Sequence, residues 1–175
     1  MFPMGFSVSA SAVILFTSIL LVASNLYLAW ENSYVQIKDA EEDWYDLKIF
    51  RMNTRLNLTS YSYVVGADHY NLTLTVENKG NTLNPNYWTG IYDGNYVALS
   101  NTATADDNVE LLSSVEYLLP SENIPIKVAS IPLNTHQHTL WVFVENGCGL
   151  GVKWHYNGSI VIVDGTSWIC PTEVS

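Results

Sequence analysis

The stretch YNLTLTVE, residues 70–77, decides the fold of this chain because apolar and polar residues alternate strictly along it. Its tyrosine, leucines and valine occupy the even positions, whereas its asparagine, threonines and glutamate occupy the odd ones. Successive side chains of a strand point to opposite faces, so this pattern predicts a half-buried β-strand. The turn sequence Asn78-Lys79-Gly80 follows and predicts where the strand ends.

Further strand patterns lie on the C-terminal side of this stretch. Asp93-Gly94 stands between the apolar arms of IYDGNYV, residues 91–97, and predicts a tight hairpin. Residues 124–128 alternate as well, but Pro125 has no N–H to donate to a neighbouring strand. We therefore expect residues 124–128 to form an edge strand.

The whole C-terminal part shows seven or so short strand patterns with turns between them and no helical pattern. Residues 140–144 are apolar throughout, as in a central strand, and residues 98–113 are expected to form a mobile loop. This arrangement predicts a mainly β fold, an antiparallel immunoglobulin-like β-sandwich.

A long apolar segment precedes the predicted sandwich. Residues 5–30 read GFSVSASAVILFTSILLVASNLYLAW, and no charged residue stands before Glu31. A membrane-spanning helix needs only about 20 apolar residues, so one transmembrane α-helix is predicted. The alternative is a cleaved secretory signal, for which 22–24 (VAS) resembles the cleavage site, but the basic segment of such signals is absent. Three aromatic residues mark the expected membrane interface: Tyr27, Trp30 and Tyr34.

The polar residues of this helix fall on one face. Their spacing of four and seven residues predicts a stripe for contact with another helix in the membrane. In the alternative interpretation each serine hydroxyl bonds a backbone carbonyl of its own helix. The stripe consists of Ser7, Ser11, Ser18 and Asn25.

Helical spacing of apolar residues continues past the membrane through Trp44 and Leu47, with acidic residues between them. The pattern predicts one rod from about residue 6 to 46, whose outer half is an amphipathic extension. The resulting organisation is an N-terminal membrane anchor helix over 1–30, a helical stalk over 31–47 and an extracytoplasmic β-sandwich domain over 48–175.

The sequence contains no recognisable motif for catalysis or for cofactor binding. The net charge is −10 and the seven basic residues are scattered, which excludes a nucleic-acid-binding face. No glycine-rich phosphate loop precedes a helix, and Asp106 and Asp107 have no matched carboxylate. His136 and His138 alternate on a strand but have no third ligand, so we expect surface residues rather than a metal site. The sequence predicts no enzyme, no metal and no cofactor.

Two cysteines and three glycosylation sequons are the remaining candidate sites. In an exported chain Cys148 and Cys170 are expected to form a disulfide; the alternative is one buried cysteine and one free thiol. The aromatic residues Tyr61, Tyr63 and Trp88 are candidate platforms for a partner or a glycan, and the alternative is that they pack in the core, as such residues commonly do. The candidate glycosylation sites are Asn57, Asn71 and Asn157.

Several segments, taken in order, resemble one known family. MGFSVSASAVILF (4–16) and LYLAWENSY (26–34) resemble the start of the archaellum (archaeal flagellum) stator proteins of the F type. The resemblance continues through NLTLTVENKGNTLNP (71–85), YWTGIYDGNYV (87–97) and YLLPSENIPIKVA (117–129), and is weak beyond residue 130. It implies an anchored β-sandwich beneath the S-layer that binds the S-layer protein, holds the motor stationary and associates with a companion stator protein.

Three hypotheses for the function follow from the sequence. The first is this stationary stator anchor in the cell membrane, a single-pass protein whose sandwich lies outside and which forms a homo-oligomer. The second is a type IV pilin-like filament subunit (archaellin), because Gly5-Phe6 before an apolar run resembles a pilin processing site, although the basic leader and early glutamate are missing. The third is a surface adhesin or glycan-binding module.

Overall fold

The computed structural model describes residues 5–99 and 108–171, with side chains from residue 11 onward. Residues 100–107, half of the predicted loop over 98–113, lie outside these residues, and Asp106 and Asp107 are among them. The described residues form one long α-helix, a short 3-10 helix at Pro85–Tyr87 and nine strands. The elements are α1 (Gly5–Met52), β1 (Leu56–Val65), β2 (His69–Asn78), β3 (Thr89–Tyr92), β4 (Asn95–Ala98), β5 (Val109–Leu111), β6 (Asn123–Pro132), β7 (Gln137–Phe143), β8 (Gly149–Tyr156) and β9 (Val161–Ile169).

Helix α1 is 48 residues long and ends six residues later than the rod expected from the sequence, at Met52 rather than near residue 46. Its apolar part is long and hydrophobic enough to cross a membrane, with a mean hydropathy of 2.1 in the most apolar 18-residue window. None of that window is buried inside the chain. The chain divides into two compact units, Met1–Asp46 and Leu47–Ser175, so the last six residues of α1 belong to the second unit.

The second unit is an antiparallel β-sandwich of the immunoglobulin-like class, as the sequence predicts. One sheet has the strand order β1-β2-β6-β5 and the other has the order β4-β3-β7-β8-β9. Both inner faces contribute to one apolar core, in which Leu72, Ile126, Leu140 and Trp154 are fully buried. The outer faces remain in water, which explains the alternation of apolar and polar residues along the strands.

Strand β2 confirms the expectation from residues 70–77. Its even-numbered residues are buried, whereas Asn71 is exposed and the other odd-numbered residues of that stretch are partly exposed. The hairpin at Asp93-Gly94 is confirmed too, because Tyr92 pairs with Asn95 and both turn residues have positive φ, 47° and 85°. Such φ values at both positions are those of the type I′ turn, for which Asp-Gly is a favoured sequence.

The predicted edge position of Pro125 is wrong. Strand β6 lies between β2 and β5, and Pro125 pairs with Thr75. Its carbonyl oxygen accepts a hydrogen bond from the N–H of Leu112, 2.9 Å away. The N–H and C=O groups of one residue in an antiparallel strand point to the same side, so the N–H that Pro125 lacks would also have faced β5. Because β5 ends at Leu111, the missing donor interrupts few hydrogen bonds between the two strands. Strand β5 also replaces part of the loop expected over 98–113.

Candidate functional site

The apolar part of α1 presents apolar and aromatic side chains in all directions. Phe16, Leu21 and Leu26 are each more than 60% exposed within the chain. At the expected interface, the rings of Trp30 and Tyr34 are stacked one helical turn apart with centroids separated by 6.1 Å. Tyr27 is exposed as well. Side chains of this kind are stable when lipid or other helices surround them.

The polar stripe of α1 is partly satisfied within the helix itself. The Ser18 hydroxyl donates to the carbonyl oxygen of Leu15 at 2.8 Å, and Ser11 also has an interaction partner. Asn25 is exposed, and its amide has no hydrogen-bond partner in the described part of the chain. The side chain of Ser7 lies outside the described residues. Asn25 is therefore the member of the stripe with hydrogen-bonding groups available to a second helix.

An acidic band, defined here as residues 31–46, follows the apolar segment on the same helix. It contains six acidic residues and one lysine, a net charge of −5 and half of the net charge of the chain. Every residue of the band is exposed, and its helical conformation keeps the carboxylates on the surface. A stretch of this charge is stable in water, where its carboxylates remain hydrated, and not in the hydrocarbon of a bilayer.

The end of α1 is joined to the sandwich by a network that the sequence did not predict. The Nε of Arg51 donates to the carbonyl oxygen of Asn146 at 2.9 Å, and its Nη1 donates to that of Pro171 at 3.2 Å. The buried Asn146 donates to the hydroxyl of Thr54, which donates to the carbonyl oxygen of Phe50 at 2.7 Å. The bond to Phe50 satisfies one of the carbonyl groups that a helix end leaves without an intrahelical partner. Phe50 also packs against the core, so the last turn is part of the sandwich.

Gly80 allows the chain after β2 to approach the end of α1. A side chain there would collide with the carbonyl oxygen of Asn53 and lie 2.8 Å from the backbone N of Arg55. The backbone N–H of Asn81 donates to the Asn53 carbonyl at 3.0 Å. The sequence predicted a turn at residues 78–80, but it did not indicate that the end of α1 packs against the glycine of this turn.

The disulfide candidates are brought together next to this network. Cys148 is fully buried, Cys170 is partly buried, and the two are paired as a disulfide with Cα atoms 4.1 Å apart. The Sγ of Cys170 lies 3.3 Å from the carbonyl oxygen of Arg51. The pairing thus attaches the end of β9 to the turn before β8, beside the helix end.

His138 is buried, which corrects the expectation of a surface residue. Its side chain is 6% exposed, and its Nδ1 lies 2.6 Å from Oδ2 of Asp93 and 3.1 Å from the hydroxyl of Tyr92. The rings of Tyr92 and Trp154 stack near it. Burial, followed by the negative charge of Asp93, raises the pKa of the Tyr92 hydroxyl well above its ordinary value. Within the described residues there is no group of three or more His, Cys, Asp or Glu that could hold a metal ion.

The other histidines and aromatic candidates differ in exposure. His155 pairs with Asp164, whose Oδ1 lies 2.8 Å from the histidine Nδ1. Trp88 is buried in the core and offers no platform, whereas Tyr61 remains exposed and Tyr63 is partly buried. The three sequon asparagines are all exposed: Asn57, Asn71 and Asn157.

Strand β1 is an unusually open edge of the sandwich. It is ten residues long, pairs on one side only and contains no charged residue or proline. Tyr61, Val64 and Val65 are exposed on it. Of the other edge strands, β4 and β5 have four and three residues, and the nine-residue β9 contains the charged Asp164. Long uncharged edges leave backbone N–H and C=O groups free to pair with another chain.

These features define a class of protein, a β-sandwich domain that follows one N-terminal helix able to span a membrane. The family model for archaeal-type flagellin matches residues 5–154. The chain therefore belongs to the archaeal-type flagellin family. No curated protein matches it.

Two solved structures from Sulfolobus acidocaldarius are similar to the chain. The archaellum periplasmic stator protein FlaG is 15% identical with a TM-score of 0.44, and the match covers 57% of this chain and 98% of that one. The archaellum periplasmic stator protein complex of FlaF and FlaG gives 17% identity and a TM-score of 0.44, covering 57% of this chain and 88% of that one.

Proposed function

We propose that this chain is a membrane-anchored stator component of the archaellum, of the F type, that binds the S-layer protein and holds the motor stationary. The role is structural and needs no catalytic group. In this proposal α1 is retained in the cell membrane and the sandwich lies outside, beneath the S-layer. The motif order of the N-terminus and of residues 71–129 supports the F-type assignment, and the family match supports a component of the archaellum.

The observation that carries the proposal is the acidic band between the apolar segment and the sandwich. An anchor keeps this band in water, where hydration and salt weaken the repulsion among its carboxylates. In a filament whose helices pack side by side, bands of net charge −5 would face each other at short range. Like charges brought together away from water repel strongly, so the band favours a solitary or loosely paired helix.

The partners in this proposal follow from the exposed surfaces. Asn25 and the apolar surface of α1 are available for contact with a companion stator protein in the membrane. The open edge of β1 is available for a second copy of the chain, so we propose a homo-oligomer.

A binding experiment tests the S-layer part of the proposal. Residues 47–175, the second compact unit, are immobilised and exposed to solubilised S-layer protein from the same cells, at low and high salt. Specific retention at both salt concentrations is expected, and an acidic β-sandwich of similar charge serves as the control. Cooperative unfolding of the domain shows that it is folded. If a folded domain retains no S-layer protein, S-layer binding is overturned. Loss of retention only after deglycosylation of the S-layer protein would favour the adhesin hypothesis instead.

The second candidate function is a filament subunit, which the family match itself favours because it is a match to flagellin. A filament subunit is released with sheared filaments, whereas an anchor stays in the membrane fraction after shearing. N-terminal sequencing of the mature chain adds a second readout, because pilin-type processing would remove residues 1–5. Recovery of a processed chain in sheared filaments would overturn the stator proposal.

A further inference from the structure

One groove of the sandwich is lined by polar and aromatic side chains that neither the membrane anchor nor the helix end uses. It has a volume of about 490 Å³ and lies between the β3–β4 hairpin and the ends of β6 and β7. Its lining includes Tyr92, Asp93, Asn95, Tyr96, Asn108 and His138. Sites for small molecules are concave and combine apolar walls with a few placed polar groups.

The charges of the groove select against ionic ligands. Within the described part of the chain, the groove lining contains no lysine or arginine, so it offers an anion no cationic side chain. Among the described residues of the lining, Asp93 is the one carboxylate, and its Oδ1 accepts a hydrogen bond from the backbone N–H of Thr139 at 2.7 Å. Its Oδ2 lies 2.6 Å from Nδ1 of His138. Each oxygen therefore already has one partner within the protein, which leaves the carboxylate fewer acceptor sites for a cation.

The same lining also selects against a purely apolar ligand. Asn95 and Asn108 are exposed and bring amide donors and acceptors to the rim of the groove. Covering these groups with a hydrocarbon would cost their hydration without replacing their hydrogen bonds. The Nε2 of His138 is buried and has no hydrogen-bond partner in the described part of the chain. In the neutral tautomer that donates Nδ1–H to Asp93, the ring would carry an acceptor at this Nε2.

We infer that the groove binds an uncharged, polyhydroxylated ligand, a residue of a glycan. A sugar ring has a C–H face that packs against an aromatic side chain, and Tyr96, which is 71% exposed, provides one. Its hydroxyl groups bond the amides of Asn95 and Asn108, and the groove volume suits one or two sugar units. The site is distinct from Tyr61, Tyr63 and Trp88, the aromatic residues that the sequence put forward. It goes beyond the stator proposal and does not depend on it.

Saturation-transfer NMR tests the inference on the full chain in lipid nanodiscs, since many detergents carry sugar headgroups that would compete. The probes are the methyl glycosides of glucose, mannose and galactose, and N-acetylglucosamine, each titrated separately. We expect saturable binding of at least one of them. Tyr96→Ala and Asn95→Ala should each weaken it by about tenfold or more, as the loss of a main contact does.

Tyr87→Ala is the matched control, because Tyr87 is 69% exposed but does not line the groove. It should leave sugar binding unchanged. Absence of saturable binding for all four probes would overturn the inference, and so would equal binding by the wild type and Tyr96→Ala. Because S-layer retention and sugar binding are measured separately, a failure of one is distinguishable from a failure of the other.

Discussion

At the scale of single residues, the disulfide between Cys148 and Cys170 lies beside the carbonyl oxygen of Arg51, where α1 meets the sandwich. Closing a loop between residues 22 positions apart is worth ~3 kcal/mol in the chain-entropy model. We predict that the Cys148→Ser, Cys170→Ser double variant of residues 47–175 loses about this much free energy of unfolding in urea. Wild-type domain under reducing conditions should match the variant, and alkylation without reductant should label no thiol. Labelling of both cysteines in the native domain would contradict the disulfide.

Gly80 has a steric role that a second glycine of the chain lacks. A Cβ at this position meets the backbone of Asn53 and Arg55, whereas one at Gly165 meets nothing within 4 Å. Backbone cannot move aside as a flexible side chain can, so Gly80→Ala should destabilise residues 47–175 by about 2 kcal/mol or more. Gly165→Ala should change the free energy of unfolding by less than about 0.5 kcal/mol. Equal urea midpoints for the two variants would show that the close approach to Asn53 is not required.

Asp164 gives the sandwich an acid-dependent contribution to stability. Hydrogen bonds from Gln137 and then from His155 lower its pKa below the ordinary value of 3.8. A lowered carboxyl pKa stabilises the fold fully above 3.8, and this contribution is lost as the pH falls through the folded-state pKa. Asp164→Asn should therefore lower the free energy of unfolding near pH 5, by less than about 1 kcal/mol because the pair is solvent-screened. The difference from wild type should shrink near pH 3, as read from urea midpoints.

Asp68→Asn is the control for this pH dependence, since the Asp68 side chain has no partner in the described part of the chain. Asp68→Asn should leave unchanged the difference between the free energies of unfolding measured near pH 5 and near pH 3. If the difference in free energy of unfolding between wild type and Asp164→Asn grows as the pH falls, the sign of the Asp164 pKa shift is contradicted.

The sequence predicts the burial of a residue well where local strand periodicity determines it, and poorly where contacts with distant segments determine it. Alternation placed Asn71 outward and its neighbours inward because a strand has a fixed period of two. His138 was misplaced because its burial comes from Tyr92 and Trp154, which other strands bring to it. The contacts of Arg51 with Asn146 and Pro171 join residues about a hundred positions apart, and no spacing rule predicts such pairs.

At the scale of elements, the open edge of the sandwich is β1 and not β6. The sequence pointed to Pro125 because proline is rare in central strands, but a three-residue neighbour suffices to make β6 internal. Neither the length of β5 nor its pairing with β6 is visible in the pattern of residues 109–111. The hairpin at Asp93-Gly94 was predictable because the turn type itself demands those residues.

The β1 edge predicts how the sandwich self-associates. Its ten residues carry no charge, so a second copy can pair with it without like charges lying opposite each other. We expect residues 47–175 to form dimers at high concentration, and Tyr61→Lys with Val64→Lys to abolish them in sedimentation velocity. Tyr87→Lys, which adds charge at an exposed position outside β1, should leave dimerisation intact. Dimers that persist in the double lysine variant would place the contact elsewhere.

We predict that the Asn25 amide takes part in contacts between α1 and a second helix. An amide in hydrocarbon gains from bonding a second helix, and Asn25 has no partner in the described residues. Asn25→Leu combined with Ser18→Leu should reduce cross-linking between helices in membranes. The control is Leu21→Ile, an apolar exchange at an exposed position of the same helix. Unaltered cross-linking in the double variant would support the alternative in which these residues serve only their own helix.

At the scale of the whole molecule, the net charge is divided evenly between the acidic band and the rest of the chain. Residues 31–46 carry −5 of the total −10, although they are a small part of the chain. The apolar surface of α1 favours side-by-side packing of helices, and the acidic band opposes it. The balance between the two decides whether full-length chains stay as anchors or assemble as filaments do.

This balance depends on salt, which makes it measurable. Raising the salt from about 0.05 to 0.5 M shortens the screening length severalfold, so repulsion between bands on neighbouring helices should weaken. We predict that the full-length chain in detergent stays in small species at low salt and forms larger assemblies at high salt. The triple variant Glu41→Gln, Glu42→Gln, Asp43→Asn, which removes three of the six acidic charges, should assemble already at low salt. Sedimentation velocity and electron microscopy measure the assemblies, and Glu110→Gln, outside the band, is the control. Filaments of wild-type chain at low salt would show that the band does not oppose packing, and the filament-subunit function would then replace the proposed stator function.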